Sequence, residues 1–333
     1  MINSKNNGCK DICDDDEMFT FAVVMGKGKL AYHILAFLVV AVWGVTFIST
    51  KVLIGAGLLP AQIFAMRFIV AYAGIWVLCA VRGEGHRVWS RSIADESLFV
   101  FLGVTGGSMY FLTENTALAC TQACTVSFIV CSAPLMTALL TLLYKRIFKG
   151  RFASGMENVK VGIPLVSGTL LSLGGMACVL FDGNSVEFSL KGDLMALGAA
   201  LCWALYSLFM GQMTRDYGPF FATRKVFFYG LLTIVPFVAG KSIDIHVLAR
   251  PEVFCNLAFL SLAASLACFV LWNKVMSHLG NVTSTNYVYL NPFFTLVSAV
   301  LLLGESLTLQ SALGCFAIVT GVAISGRSGD NRF

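Results

Sequence analysis

Apolar runs of close to 20 residues recur from one end of the chain to the other, and each is long enough to cross a hydrocarbon core of about 30 Å. Lipid offers the backbone no hydrogen-bond partner, so a spanning segment must be a helix or a strand of a closed barrel. Barrel strands alternate apolar and polar residues over about 10 positions. These runs are continuously apolar, which selects helices. The composition agrees, with 57% of the 333 residues apolar, 12% charged and a mean hydropathy of +0.80, against about 25% charged residues in a soluble domain.

The runs predict ten spans, at 30–53, 61–81, 98–120, 123–144, 161–181, 191–213, 220–239, 253–277, 282–303 and 307–325. The third and fourth spans, and the eighth and ninth, follow each other so closely that each pair must form an antiparallel hairpin. Residues 1–29 form a polar tail with the acidic run Asp14, Asp15, Asp16, Glu17 and without the apolar core of a signal peptide. Residues 327–333 form a short second tail. With the amino terminus inside, fifteen Lys and Arg fall on the inner side against three, Lys191, Lys241 and Arg250, on the outer side. The positive-inside rule therefore predicts an inner-membrane protein with both termini cytoplasmic. The net charge of +5 reflects loops beside anionic lipid and gives no reason to invoke nucleic acid. Most of the 11 cysteines lie within spans, and Cys9 and Cys13 in the tail lack companion ligands. Neither a disulfide, a metal site nor a cofactor is expected.

Shifting the chain against itself by 158 places Phe111 on Phe269, Asn115 on Asn273, Thr125 on Thr283 and Pro134 on Pro292. Trp43 meets Trp203 at an offset of 160, and Gly168 and Gly175 meet Gly314 and Gly321 at 146. The expectation is an all-α polytopic membrane protein of two five-helix repeats, residues 30–181 and 191–326. An odd number of spans per unit inverts the second repeat in the membrane, the architecture of alternating-access transporters.

The second half carries Asn291-Pro292, then Leu301-Leu302-Leu303-Gly304-Glu305-Ser306-Leu307, then Gly314 to Gly321. The first carries Trp43-Gly44, Arg67 and Ala133-Pro134. In this order, over about residues 30–325, the motifs resemble the EamA family of the drug/metabolite transporter superfamily. That resemblance implies a five-plus-five fold and an exporter of drugs or metabolites, with hydrophobic amino acids as a substrate class. Arg146-Ile147 and a basic insertion stand in the first half where the second has Gly304-Glu305, so a symmetrical acidic pair is not expected.

Ionisable groups inside spanning helices are costly and must face protein or water. Glu114 lies about 9 Å from the outer end of the third span, at 1.5 Å per residue, and Arg67 lies at similar depth in the second. They are the leading coupling candidates, with Glu114 a candidate for proton coupling. The competing account is an ion pair that only fixes packing. Gly103, Gly107, Tyr110 and Glu114 recur on one helical face. Lys225 is a gating candidate. Trp43, Phe47, Tyr110, Trp203, Tyr206 and Trp272 could bind a flat or apolar substrate, with Asn115, Asn273, Tyr287 and Asn291 supplying polar contacts. For all of these the competing roles are packing and interhelical hydrogen bonding. Pro134 and Pro292 should free the carbonyls of Val130 and Val288 inside helices and act as hinges. The four paired glycines read as close-packing positions.

No G-x-x-x-x-G-K-[ST] motif is present, so a gradient, not bound nucleotide, would drive movement. The sequence predicts a secondary active or facilitative transporter of a small organic metabolite. The alternatives are an intramembrane enzyme and a non-transporting sensor. An enzyme would need clustered carboxylates or a Ser/His or HExxH arrangement. The only deep acid is Glu114, and His33, His86, His246 and His278 lie near span ends or in loops. No catalytic residue is assigned.

Overall fold

The computed structural model of the chain describes residues 29–83, 88–149, 162–181, 189–303 and 308–326. The acidic tail with Cys9 and Cys13, the basic insertion at 150–161, the Gly304-Glu305-Ser306-Leu307 run and the second tail lie outside these residues. Among the described residues every regular element is helical. In chain order they are α1 (Lys29–Gly55), α2 (Pro60–Val81), α3 (Ile93–Gly103), α4 (Met109–Cys120), α5 (Ala123–Val130), α6 (Ala133–Ile147), α7 (Ile163–Leu180), α8 (Leu190–Tyr217), α9 (Pro219–Val238), the short α10 (Ile245–Leu248), α11 (Pro251–Ala258), α12 (Cys268–Leu279), α13 (Asn281–Thr285), α14 (Asn291–Leu303) and α15 (Leu309–Gly326). Wide π-helical stretches, Val104–Ser108 and Phe259–Ala267, join α3 to α4 and α11 to α12. A 3₁₀ turn, Asn286–Leu290, joins α13 to α14.

Six segments are long and apolar enough to cross a membrane unaided: Leu30–Gly55, Pro60–Val81, Thr125–Ile147, Leu190–Tyr217, Pro219–Val238 and Pro251–Leu279. Val166–Cys178 and Ala312–Ser325 are shorter apolar helices. The chain is a multi-pass membrane protein. The segment expected to span at 282–303 is in neither group, and nor is the one at 98–120. The latter carries Thr105, Ser108, Glu114 and Asn115, all of which it buries in the bundle instead of facing lipid.

The sequence marks the helix boundaries. Proline opens α2, α9 and α11, where its missing N–H costs nothing and its fixed φ suits the first turn. Single glycines turn the chain between α8 and α9 and between α12 and α13. Gly218 and Gly280 have φ of 84° and 92°, which a side chain would resist.

Pro134 and Pro292 correct an expectation. Neither kinks a continuous helix: Pro134 is in the first turn of α6, after a break at Cys131 and Ser132, and Pro292 is the second residue of α14, after the 3₁₀ turn. A proline that begins a new segment avoids the clash it would create in a helix interior. The Val288 carbonyl at the second break accepts the Cys131 thiol from the first, at 3.2 Å. A π-turn also leaves carbonyls without their usual amide, and Trp43 Nε1 donates to Ala264 O in one of them at 3.0 Å.

Helices α7 and α15 pack backbone to backbone. A Cβ on Gly168 would come within 2.6 Å of Gly321 O, and one on Gly175 within 2.5 Å of Gly314 O. The four paired glycines are the close-packing positions that their spacing suggests. Deeper in the bundle, Phe68 of α2 and Phe227 of α9 meet edge to face with centroids 4.9 Å apart, and Phe111 and Phe269 lie 6.0 Å apart.

Candidate functional site

Helices α1, α2, α4, α8, α12 and the breaks before α6 and α14 surround a cavity. Trp43, Phe47, Trp203, Phe111 and Phe269 give it aromatic walls, and Val130 and Val288 line it beside the two breaks. Thr46, Arg67, Tyr110, Glu114 and Asn291 supply the polar groups. Its walls approach closely and leave a cavity volume of about 20 Å³, room for about one water. This is a contracted site.

The two charges enter it by different routes. Arg67 is 3% exposed. Its Nε donates to Ser265 Oγ in the π-helical stretch after α11, and its guanidinium lies 4.6 Å from the Phe111 centroid and 5.5 Å from that of Phe68. A desolvated cation over ring faces gains about 2 kcal/mol. Glu114 is 7% exposed and its Oε1 accepts from Tyr110 Oη, one helical turn earlier, at 2.7 Å. Among the described residues no ion pair joins Glu114 to Arg67. They share the cavity, each held by its own neutral partner, so both charges can meet a guest.

The aromatic candidates separate. Trp43 touches Trp272, Trp203 and Phe269, with centroids 4.9, 5.3 and 5.9 Å away. Trp43, Phe47, Tyr110 and Trp203 face the cavity, whereas Trp272 is fully buried behind Trp43. Tyr206 donates to Asn273 Oδ1 at 2.5 Å, and Asn273 Nδ2 donates to Thr223 Oγ1 at 2.8 Å, a chain that ties α8, α12 and α9 together. Asn115 Nδ2 donates to Pro60 O at 3.1 Å, and Tyr287 Oη is 2.7 Å from His33 Nδ1. Tyr206, Asn273, Asn115, Trp272 and Tyr287 do not line the cavity. Asn291 does, and its buried Oδ1 has no partner.

Lys225 on α9 lies away from the cavity and pairs with Glu96 at the start of α3. Glu96 also accepts from Tyr229 Oη and from the backbone N–H of Ser90, the latter at 2.9 Å. The Lys225 ammonium stands 4.8 Å from the Trp89 ring centroid. Partial desolvation raises the Glu96 carboxyl, but hydrogen bonds from Lys225, Ser90 and Tyr229 outweigh it and bring it down from 4.5 to about 2. Neighbouring Arg224 stacks on Trp76 of α2 at 4.4 Å. Lys51 donates to the carbonyls of Leu118 and Thr121 at the end of α4, at 2.9 and 2.5 Å.

Sequence reasoning does not reach Ser265, Glu96, Thr46 or the Cys131 contact. A serine in an apolar run looks like a packing residue, and Glu96 falls in a polar stretch just before the expected span.

A family model described as the EamA-like transporter family matches residues 30–181 and 190–327. An uncharacterized transporter of Archaeoglobus fulgidus is 24% identical over 303 residues, covering 88% of this chain and 96% of its own. A protein of Escherichia coli described as a probable amino-acid metabolite efflux pump is 25% identical over 306 residues, covering 88% and 93%. The uncharacterized inner membrane transporter YedA of Escherichia coli is 25% identical over 289 residues, covering 85% and 86%. A solved crystal structure shares the fold, with a TM-score of 0.67 and 19% identity over 91% of this chain and all of that one.

Proposed function

The chain belongs to the EamA-like transporter family and is a membrane transporter, and from that premise we propose that it exports small organic metabolites, hydrophobic amino acids among them, by alternating access. The observation that carries this reading is the cavity in which Arg67 and Glu114 enter one aromatic-walled space without pairing with each other. A zwitterion with an apolar side chain complements it. Its carboxylate meets Arg67, its ammonium meets Glu114 with the Asn291 amide oxygen beside it, and its side chain lies against Trp43, Phe47 and Phe269. The description of the Escherichia coli relative as an amino-acid metabolite efflux pump favours the same class. Protein reconstituted in liposomes is expected to give saturable counterflow of L-phenylalanine. No counterflow of any apolar amino acid would remove the amino-acid class.

The working unit in this reading has ten spans, with α3–α4, α5–α6, α11–α12 and α13–α14 each counted as one and the repeats at 30–181 and 191–326 inverted. The irregular stretches support it. Shifted by 158, Val104–Ser108 falls inside Phe259–Ala267, and the break at Cys131 and Ser132 falls on the end of the Asn286–Leu290 turn. Lys225 and Glu96 then lie at the cytoplasmic end of an inner-membrane protein whose termini are both cytoplasmic. A fluorescent protein fused after Phe333 is expected to glow and alkaline phosphatase fused there to stay silent. The reverse would overturn the orientation.

A further inference from the structure

Trp43 and Trp203 correspond at an offset of 160, and α4 and α12 correspond at 158. The Trp43 indole N–H donates to Ala264 O in the π-helical stretch before α12. The matching acceptor for Trp203 would be the carbonyl of Gly106, 158 residues earlier in the π-turn before α4. Trp203 makes no such bond, and the Tyr206 ring lies against Gly106 so closely that a Cβ there would overlap the ring carbons. The Trp203 ring meets Trp43, at 5.3 Å, and Tyr110, at 5.1 Å, and lines the cavity instead. Trp203 is 4% exposed, and its Nε1 has no hydrogen-bond partner. A buried donor left without a partner is destabilising unless something satisfies it. The Trp272 N–H is also unpartnered, but Trp272 does not reach the cavity.

We infer that the Trp203 indole N–H reads the cargo, donating a hydrogen bond to an acceptor oxygen that the transported molecule must carry. The two halves thus use one residue type for two purposes. In the first half the indole closes a π-turn, and in the second it recognises cargo. For the zwitterion of the proposed function, on which the cargo's identity here rests, the acceptor is a carboxylate oxygen. A bond to a charged acceptor is among the stronger kinds, and its loss corresponds to about tenfold or more in affinity.

Trp203→Phe keeps an aromatic ring and removes the donor. In liposomes, it is expected to raise the half-saturating concentration of L-phenylalanine about tenfold, with the maximal rate within about twofold. Inhibition by 2-phenylethylamine, which has the ring and the ammonium but no oxygen, should be unchanged. An unaltered half-saturation for L-phenylalanine, or an equal weakening of both compounds, would overturn the inference, the second result marking a packing role. A readout that needs no cargo separates this from failure of the amino-acid reading. Resonance Raman spectra in D2O, assigned by difference against Trp203→Phe and Trp43→Phe, should show the Trp203 N–H exchanging faster than the Trp43 N–H. If the wild type moves no amino acid but this contrast holds, the amino-acid class falls and the donor stands. If the two indoles exchange alike, the inference falls whatever the protein transports.

Discussion

Glu114→Gln is expected to lower amino-acid flux at least tenfold and to flatten its dependence on external pH, with Arg67→Gln lowering flux by a similar factor. The reason is where the two groups meet. Both are almost completely buried and both line the cavity, yet each has a neutral anchor, Tyr110 Oη for Glu114 and Ser265 Oγ for Arg67. Neither charge needs the other to hold its position. Each is therefore spare for a guest, and losing a hydrogen bond to a charged group costs about 1.5–3 kcal/mol, or roughly 10- to 100-fold. Glutamine retains the acceptor for Tyr110, so the helix face at Tyr110 and Glu114 should survive while the titratable proton is lost. The double variant separates a transport role from a structural one. A static charge pair predicts that Glu114→Gln keeps wild-type flux and pH profile with reduced thermal stability, and that the double variant recovers it. A transport role predicts flux no better in the double variant than in either single one. Recovered stability with unaltered flux per folded molecule would remove both residues from the pathway.

The presence of Arg67 and Glu114 in one cavity is legible because charge inside a spanning helix is expensive enough to demand an explanation. Depth along two adjacent helices puts Arg67 and Glu114 at one level. Hydropathy likewise marks the six segments long and apolar enough to span. What decides the site's detail is not periodic. The π-helical stretch Phe259–Ala267 places Ala264 and Ser265 where Trp43 and Arg67 can reach them. The same geometry sends Asn273 and Tyr206 into an interhelical hydrogen bond and leaves Asn291 facing the cavity, although all three looked equally suited to cargo. The contact between Cys131 and Val288 joins the two breaks across the halves of the chain, a relation no local spacing carries.

Charge reversal at the Lys225–Glu96 pair tests whether the contracted cavity is held shut from that end of the bundle. Lys225 crosses from α9 to the first turn of α3, with side chains 6% and 17% exposed. Through Ser90 and Trp89 the same cluster also gathers the segment preceding α3. The pair lies between an exposed bridge, worth under about 1 kcal/mol, and a fully buried one, whose rupture costs about 3–5 kcal/mol. Two like charges at this point should therefore shift the balance between open and closed ends. Lys225→Glu and Glu96→Lys, each alone, are expected to depress flux about tenfold, and the exchanged double variant to return it to within about threefold of wild type. Proton binding does not open this contact under assay conditions. The Glu96 carboxyl is held at about 2 against an ordinary 4.5, so the stability it contributes is complete above about pH 4.5 and is lost only as the pH falls through about 2. Single reversals that lower the melting temperature while flux per folded molecule stays at the wild-type level would make the cluster a fixed brace between α3 and α9. Failure of the exchanged variant to recover flux would show that Tyr229 and Trp89, which cannot follow the swap, govern the contact instead of the pair itself.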